Sequence, residues 1–242
     1  MRRMITDRGL VVSCQAYEGE PLFGPQHMVE MAKAAVLGGA IGIRANGTAD
    51  IAAIKAAVSV PVIGLLKRQI EGYPVYITPT LEDALAVHEA GADIVAMDGT
   101  LRPRPDGNKL KEIVDELIRR GIHVMADVST LEEGLYAADL GVHYISTTLS
   151  GYTAYSPETT KPDIGLVARL VQETRLPVIA EGRFASADDM IQALNAGARF
   201  VVVGSAITRP QDITERYRKS IEAQVDLNEG KGRGGSNIGL EA

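Results

Sequence analysis

The stretch "TPTLEDALAVHEAGADIVAMDGT", residues 78–100, holds one structural unit from helix cap to strand. Thr80 precedes Glu82 and Asp83, the pattern of a helix start. The hydroxyl can accept from a free backbone N–H, and the carboxylates meet the positive end of the helix dipole. Apolar residues follow at helical spacing. Gly91 then stands where a helix ends in a left-handed residue, which glycine adopts without a Cβ penalty. "ADIVAMD" follows at once and reads as a buried strand.

The unit recurs. "STLEEGLYAADLGVHYISTT" (129–148) and "SADDMIQALNAGARFVVVGSA" (186–206) have the same order, with Gly141 and Gly197 as helix stops, and "AAVLGGAIGIRANG" (34–47) fits the same pattern. Helix, glycine turn and buried strand form the αβ half of a βαβ unit. Strands are expected to begin near Gly9, Ala40, Val60, Asp93, Ile122, Val142, Leu176 and Arg199. Their spacing of roughly 20 to 35 residues suits βα repeats. Eight units predict a (β/α)8 TIM barrel built as a single domain. The rival is an open doubly wound sheet. It would want a G-x-G-x-x-G turn after the first strand, and none is present. "YIT" at residues 76–78 is assigned to the loop after the third strand. "QDITERYRKSIEAQVDL" (211–227) reads as an amphipathic last helix. The catalytic barrel is therefore expected over residues 1–227, with a flexible glycine-rich tail, "NEGKGRGGSNIGLEA", over 228–242.

The chain has 242 residues, 45% of them hydrophobic, and a formal net charge of −6. That charge argues against a nucleic-acid partner or an anionic membrane surface, so an anionic ligand must be held by a local site. The single cysteine, Cys14, leaves no intramolecular disulfide and suits a reducing cytoplasm. The opening "MRRMITDRGLVVSCQ" has an apolar run too short for a signal segment or a spanning helix. A soluble cytoplasmic protein is expected.

Barrel active sites lie at the C-terminal strand ends. Those ends are read as Gln15, Arg44, Lys67, Asp98, Asp127, Thr147 with Thr148, Glu181, and Gly204 with Ser205. Polar strand ends can simply mark an exit into solvent. Here they follow apolar runs such as "VIGLLK", "HVMAD" and "VIAE", where charged groups need partners. The histidines do not join them: His123 and His143 sit at strand starts, and His27 and His88 lie in helices. No metal cage is predicted. Gly182 and Arg183 after strand seven, and Gly204 and Ser205 after strand eight, stand where barrels often bind phosphate, although a plain Gly-Ser turn remains the alternative. Arg209 follows at the next helix start.

Strands three and seven lie opposite each other in an eight-strand ring. Lys67 and Glu181 would then flank a substrate, one removing a proton from a carbon and the other returning one to the opposite face. The carbon must be acidic, hence next to a carbonyl. Lysine acts as a base only where desolvation or a nearby cation, Arg44 being the nearest candidate, lowers its affinity for a proton. Glu181 needs the reverse, a proton held by burial. A Lys67–Glu181 ion pair bracing the mouth is the structural alternative.

The ordered motifs "GLVVSCQA", "AIGIRANG", "VPVIGLLKR", "YITPTLEDA", "DIVAMDGTLRPRP", "ADVST", "STTLSGYT", "PVIAEGR" and "VVVGSAITRP" resemble the N-acylglucosamine-6-phosphate 2-epimerase family, also called N-acetylmannosamine-6-phosphate 2-epimerases. The resemblance covers residues 9–210. It implies interconversion of N-acetylmannosamine 6-phosphate and N-acetylglucosamine 6-phosphate in sialic acid and amino-sugar catabolism. It also implies no metal or organic cofactor, a small-molecule amino-sugar phosphate as partner, and a homodimer. By the same resemblance Lys67 is the base and Glu181 its partner acid. Gln15, Arg44, Asp127 and Arg209 contact substrate, and Gly182, Arg183, Gly204 and Ser205 hold the phosphate. Two rivals remain at this level: a Schiff-base aldolase of the same fold, and a non-catalytic sugar-phosphate-binding barrel.

Overall fold

The structure, a computed structural model, describes residues 2–233. Eight strands form one closed barrel in sequence order: β1 (Leu10–Cys14), β2 (Gly42–Asn46), β3 (Val62–Leu65), β4 (Ile94–Asp98), β5 (His123–Asp127), β6 (Tyr144–Ser146), β7 (Val178–Glu181) and β8 (Phe200–Val203). Every neighbouring pair is parallel, and β8 closes on β1 through Leu10↔Val201 and its neighbours. Each strand begins one or two residues after its expected start. The helices between them are α1 (Pro25–Leu37), α2 (Thr48–Ala57), α3 (Leu81–Glu89), α4 (Leu110–Arg119), α5 (Leu131–Asp139), α6 (Ile164–Glu173) and α7 (Ala187–Asn195), followed by a short α8 (Ser205–Thr208) and α9 (Pro210–Arg233).

The repeated unit folds by the chemistry its sequence carries. Thr80 and Thr130 cap α3 and α5, and each forms a reciprocal capping box, with Asp83 and Glu133 respectively. Ser186 caps α7 by accepting from the Asp189 N–H. Gly91, Gly141 and Gly197 have φ of 112°, 82° and 103°, the left-handed region that stops each helix and turns the chain into the next strand.

Period-two alternation divides each strand between two cores. Val11, Ile63, Leu65, Ile94, Ala96, Met125, Tyr144, Ile179, Phe200 and Val202 fill the barrel interior, and Ile5 from the N-terminal segment joins them. Val12, Ile43, Val62, Val95, Val124, Ile145, Val178 and Val201 pack outward under the helices. Both faces are apolar, so the strands read as unbroken runs and hide the alternation. Extending the interior set in steps of two leads to Gln15, Lys67, Asp98, Asp127, Thr148, Glu181 and Gly204.

Five expected ends shift: β6 and β8 stop at Ser146 and Val203, just short of Thr147 with Thr148 and of Gly204 with Ser205. β2 runs on to Asn46, so Arg44 lies inside the strand and not at its end. β1 and β3 stop at Cys14 and Leu65, leaving Gln15 and Lys67 just beyond them. "YIT" is loop, as expected, but folds back on β3: Lys67 and Ile77 form an antiparallel bridge, and the Thr78 N–H donates to the Leu66 carbonyl at 2.7 Å. The tail expected from residue 228 begins within α9, and residues 234–242 of it lie outside the described residues. Among the described residues no helix is long and apolar enough to cross a membrane.

Candidate active site

A cavity of about 280 Å³ opens at the C-terminal ends of the strands. This is near the lower end of the roughly 300–1,000 Å³ usual for small-molecule sites. Gln15, Arg44, Lys67, Glu181, Gly182, Arg183, Gly204, Ser205 and Arg209 all line it. Of the ten residues expected at the site, Asp127 alone does not. It is fully buried beneath the floor.

Arg44 explains that placement. Its Cα pairs with Ser13 and Ile63, one interior step before Gln15 and two before Lys67. Its guanidinium reaches across the interior and donates from both Nη atoms to the Asp127 carboxylate, at 3.2 and 2.5 Å. Nη1 also stands 2.8 Å from Glu181 Oε2. A planar fork between two carboxylates is the arrangement arginine makes better than lysine. Arg44 is thus engaged by two carboxylates while it lines the same cavity as Lys67. There is no Lys67–Glu181 ion pair among the described residues: the partner of Glu181 is Arg44.

Lys67 is anchored at its backbone, where its N–H donates to Asn46 Oδ1 at 2.7 Å. Its Nζ donates to the Tyr17 hydroxyl at 2.9 Å and lies 5.3 Å from the ring centroid. The Arg209 guanidinium lies 5.5 Å from the same ring and is ion-paired to Glu20, tying the β1–α1 loop to the start of α9. Gln15 donates to Ser13 Oγ at 2.8 Å, while its Oε1 is buried without a partner, an acceptor a bound ligand would satisfy.

Glu181 ends β7 with its side chain 13% exposed. Burial and the nearby Asp127 carboxylate push its pKa up. Arg44 and Lys67 pull it down, as would a Thr148 hydroxyl that donated to it, and the balance is about 7. Gly182 (φ 107°) and Arg183 (φ 61°) both take left-handed backbone after it. For arginine that conformation is unfavourable. The side chain stabilises the turn by donating to the Ser150 and Gly151 carbonyls at 2.7 and 2.9 Å and stacking 3.8 Å from the Tyr152 ring centroid.

The raised Glu181 pKa predicts how stability depends on pH. The folded value, about 7, lies above the unfolded carboxylate value near 4.5. The folded state therefore keeps a proton that the unfolded chain has released. This contribution is fully present below the unfolded value and is lost as pH rises through about 7, on the order of 3 kcal/mol in all. Glu181→Gln removes the titration. Its melting temperature relative to wild type is expected to rise between about pH 5 and pH 8, measured by calorimetry. Parallel pH curves for the two proteins would refute the shift.

Sequence reading missed Tyr17, which touches Lys67, and gave no role to Tyr76 or Thr148. Burial raises the Tyr76 phenol to about 12, helped by Asp127, Tyr17 and Asp98. Only the folding-back of its loop brings it to the cavity. Thr148 had a signal, two residues beyond the interior position Ser146.

The family model described as "Putative N-acetylmannosamine-6-phosphate epimerase" (NanE) matches residues 28–223. Relatives named "Putative N-acetylmannosamine-6-phosphate 2-epimerase" are similar over most of their length. The Caldanaerobacter subterraneus subsp. tengcongensis protein is 54% identical over 87% of this chain and 90% of its own. The Clostridioides difficile protein is 47% identical over 88% and 96%. Among solved structures, the N-acetylmannosamine-6-phosphate 2-epimerase from Clostridium perfringens superposes with a TM-score of 0.85 at 44% identity, covering 87% of this chain and 92% of its own. Thiamine phosphate pyrophosphorylase from Pyrococcus furiosus, 20% identical with a TM-score of 0.57, shares the fold alone.

Proposed function

Because the chain belongs to the N-acetylmannosamine-6-phosphate epimerase family, we propose that it interconverts N-acetylmannosamine 6-phosphate and N-acetylglucosamine 6-phosphate by inverting C2. The observation that carries this reading is that Lys67 and Glu181 line one cavity from β3 and β7, four strands apart in a closed ring of eight. The open-chain aldehyde makes the C2 hydrogen acidic. Lys67, as the free amine, takes that proton and leaves an enolate. Glu181, as the neutral acid, delivers a proton to the opposite face and becomes a carboxylate, which Arg44 stands ready to balance. In the reverse direction each group performs the other half of the exchange. Gln15 and Arg209 contact the sugar. Gly182, Arg183, Gly204 and Ser205 form the phosphate end, where the turn after β7 faces the start of α8. Asp127 acts from below, by fixing Arg44.

The Arg44–Glu181 contact at 2.8 Å favours a second arrangement, in which Glu181 stays ionised and Lys67 alone takes and returns the proton. Proton NMR in D₂O tests both. Loss of the C2–H signal of N-acetylmannosamine 6-phosphate as the gluco epimer appears supports epimerisation, and binding without exchange would refute it. Deuterium in every first-turnover product indicates two groups on opposite faces. Partial retention of the original hydrogen indicates Lys67 alone.

A homodimer accords with α9, where Tyr217 (64% exposed), Ile221 (64%) and Val225 (48%) form an apolar stripe at four-residue spacing. A cytoplasmic role in sialic acid and amino-sugar catabolism suits this substrate and the buried free thiol of Cys14.

A further inference from the structure

One hydroxyl stands between the buried Asp127 carboxylate and the cavity-lining Glu181 carboxylate. Thr148 Oγ1 is 2.8 Å from Asp127 Oδ1, 3.1 Å from Glu181 Oε2 and 2.8 Å from the fully buried Ser146 Oγ. A threonine hydroxyl has one proton to donate and two lone pairs to accept with. If it accepts from Ser146 and donates to one carboxylate, the other carboxylate oxygen faces a lone pair. Two acceptors at that distance repel unless one of them carries a proton.

Asp127 is the carboxylate to leave ionised. It accepts from both Nη atoms of Arg44, the bidentate arrangement of a charged pair. Only one of its oxygens meets Thr148. Glu181 stands beside Nη1 of Arg44 at 2.8 Å. One guanidinium set between two ionised carboxylates would also leave this buried group with a net negative charge, which a low-dielectric interior disfavours. A proton on Glu181 removes both conflicts: Glu181 donates to Thr148, Thr148 donates to Asp127, and Ser146 fills the second lone pair. Every hydroxyl in the chain then has a partner.

We propose that Thr148 is a positioning residue that holds Glu181 in its protonated form, giving its own proton to Asp127 and turning a lone pair toward Glu181. The proposal rests on the reading of Glu181 as the returning acid. The charged groups facing Glu181 are Arg44 from β2, Lys67 from the loop after β3, and Asp127 from β5.

The experiment is a pH titration of protein carrying carboxyl-¹³C glutamate, with the Glu181 signal identified by its loss in Glu181→Gln. Thr148→Val removes the hydroxyl and keeps the volume, and Thr148→Ala replaces it should the valine variant not fold. The Glu181 midpoint is expected to fall by about one pH unit in either, and to return in Thr148→Ser. The turnover rate at neutral pH should drop about tenfold with KM little changed, and serine should restore most of it. A midpoint that rises, or does not move, would mean that the hydroxyl donates to Glu181, and the proposal falls. Absence of C2 exchange in the wild type would instead defeat the epimerase reading and leave the midpoints intact, so the two failures are separable.

Discussion

Lys67→Ala is expected to reduce epimerisation by about 10³- to 10⁴-fold, the upper range for removing a positioned acid–base group. The loss should appear in kcat, because the amine acts on the reacting carbon. In the proposed mechanism ground-state binding is left to Gln15, Arg209 and the turns after β7 and β8. Folding should be nearly unaffected. The Nζ donates one hydrogen bond, to the Tyr17 hydroxyl, and the backbone contact with Asn46 survives truncation. The measurement is the rate of C2–H loss in D₂O by proton NMR, beside a thermal melt of the same sample. A variant that keeps a tenth of the wild-type rate would place the base elsewhere. A variant that loses the rate together with the fold would leave the loss unassigned to chemistry, and the melt separates these cases.

Arg44→Ala should give the largest loss of stability of any substitution at the site. The guanidinium is 1% exposed and faces two carboxylates, of which Asp127 is fully buried. Truncation leaves Asp127 without a cation, and removing one partner of such a pair costs about 3–5 kcal/mol. For a chain of this length that is a fall in melting temperature of about 10 °C. Arg44→Lys should recover only part of it, since a single ammonium cannot fork to two carboxylates. Adding Asp127→Asn to Arg44→Ala should also recover part, because the uncompensated charge is then gone. If Arg44→Ala melts with wild type, the buried pair is not holding the barrel interior together. If the double variant is less stable than Arg44→Ala, charge is not the cause of the loss.

The barrel and most of its rim were legible in the chain because they rest on local chemistry. Thr80, Thr130 and Ser186 cap helices by reaching only three residues ahead. Gly91, Gly141 and Gly197 stop helices through their own φ. Eight repeats of that unit leave few ways to close a parallel sheet, so residues at strand ends converge whatever the details. The opposition of Lys67 and Glu181 follows from counting strands. Depth and contact do not, because they depend on register between strands and on loops that meet far apart in sequence. The stagger of β2 against β1 and β3 sinks Arg44 below Gln15 and Lys67, where it captures Asp127 from across the barrel and takes Glu181 as well. The loop after β1 brings Tyr17 to Lys67 across fifty residues. Period-two alternation was present in the sequence but concealed, since apolar residues fill both faces of every strand. Chain chemistry therefore determined which groups reach the mouth. Tertiary structure decided which carboxylate meets the cavity and which stays beneath it, because a charge buried in a low dielectric is tolerated only where the packed barrel supplies its partner.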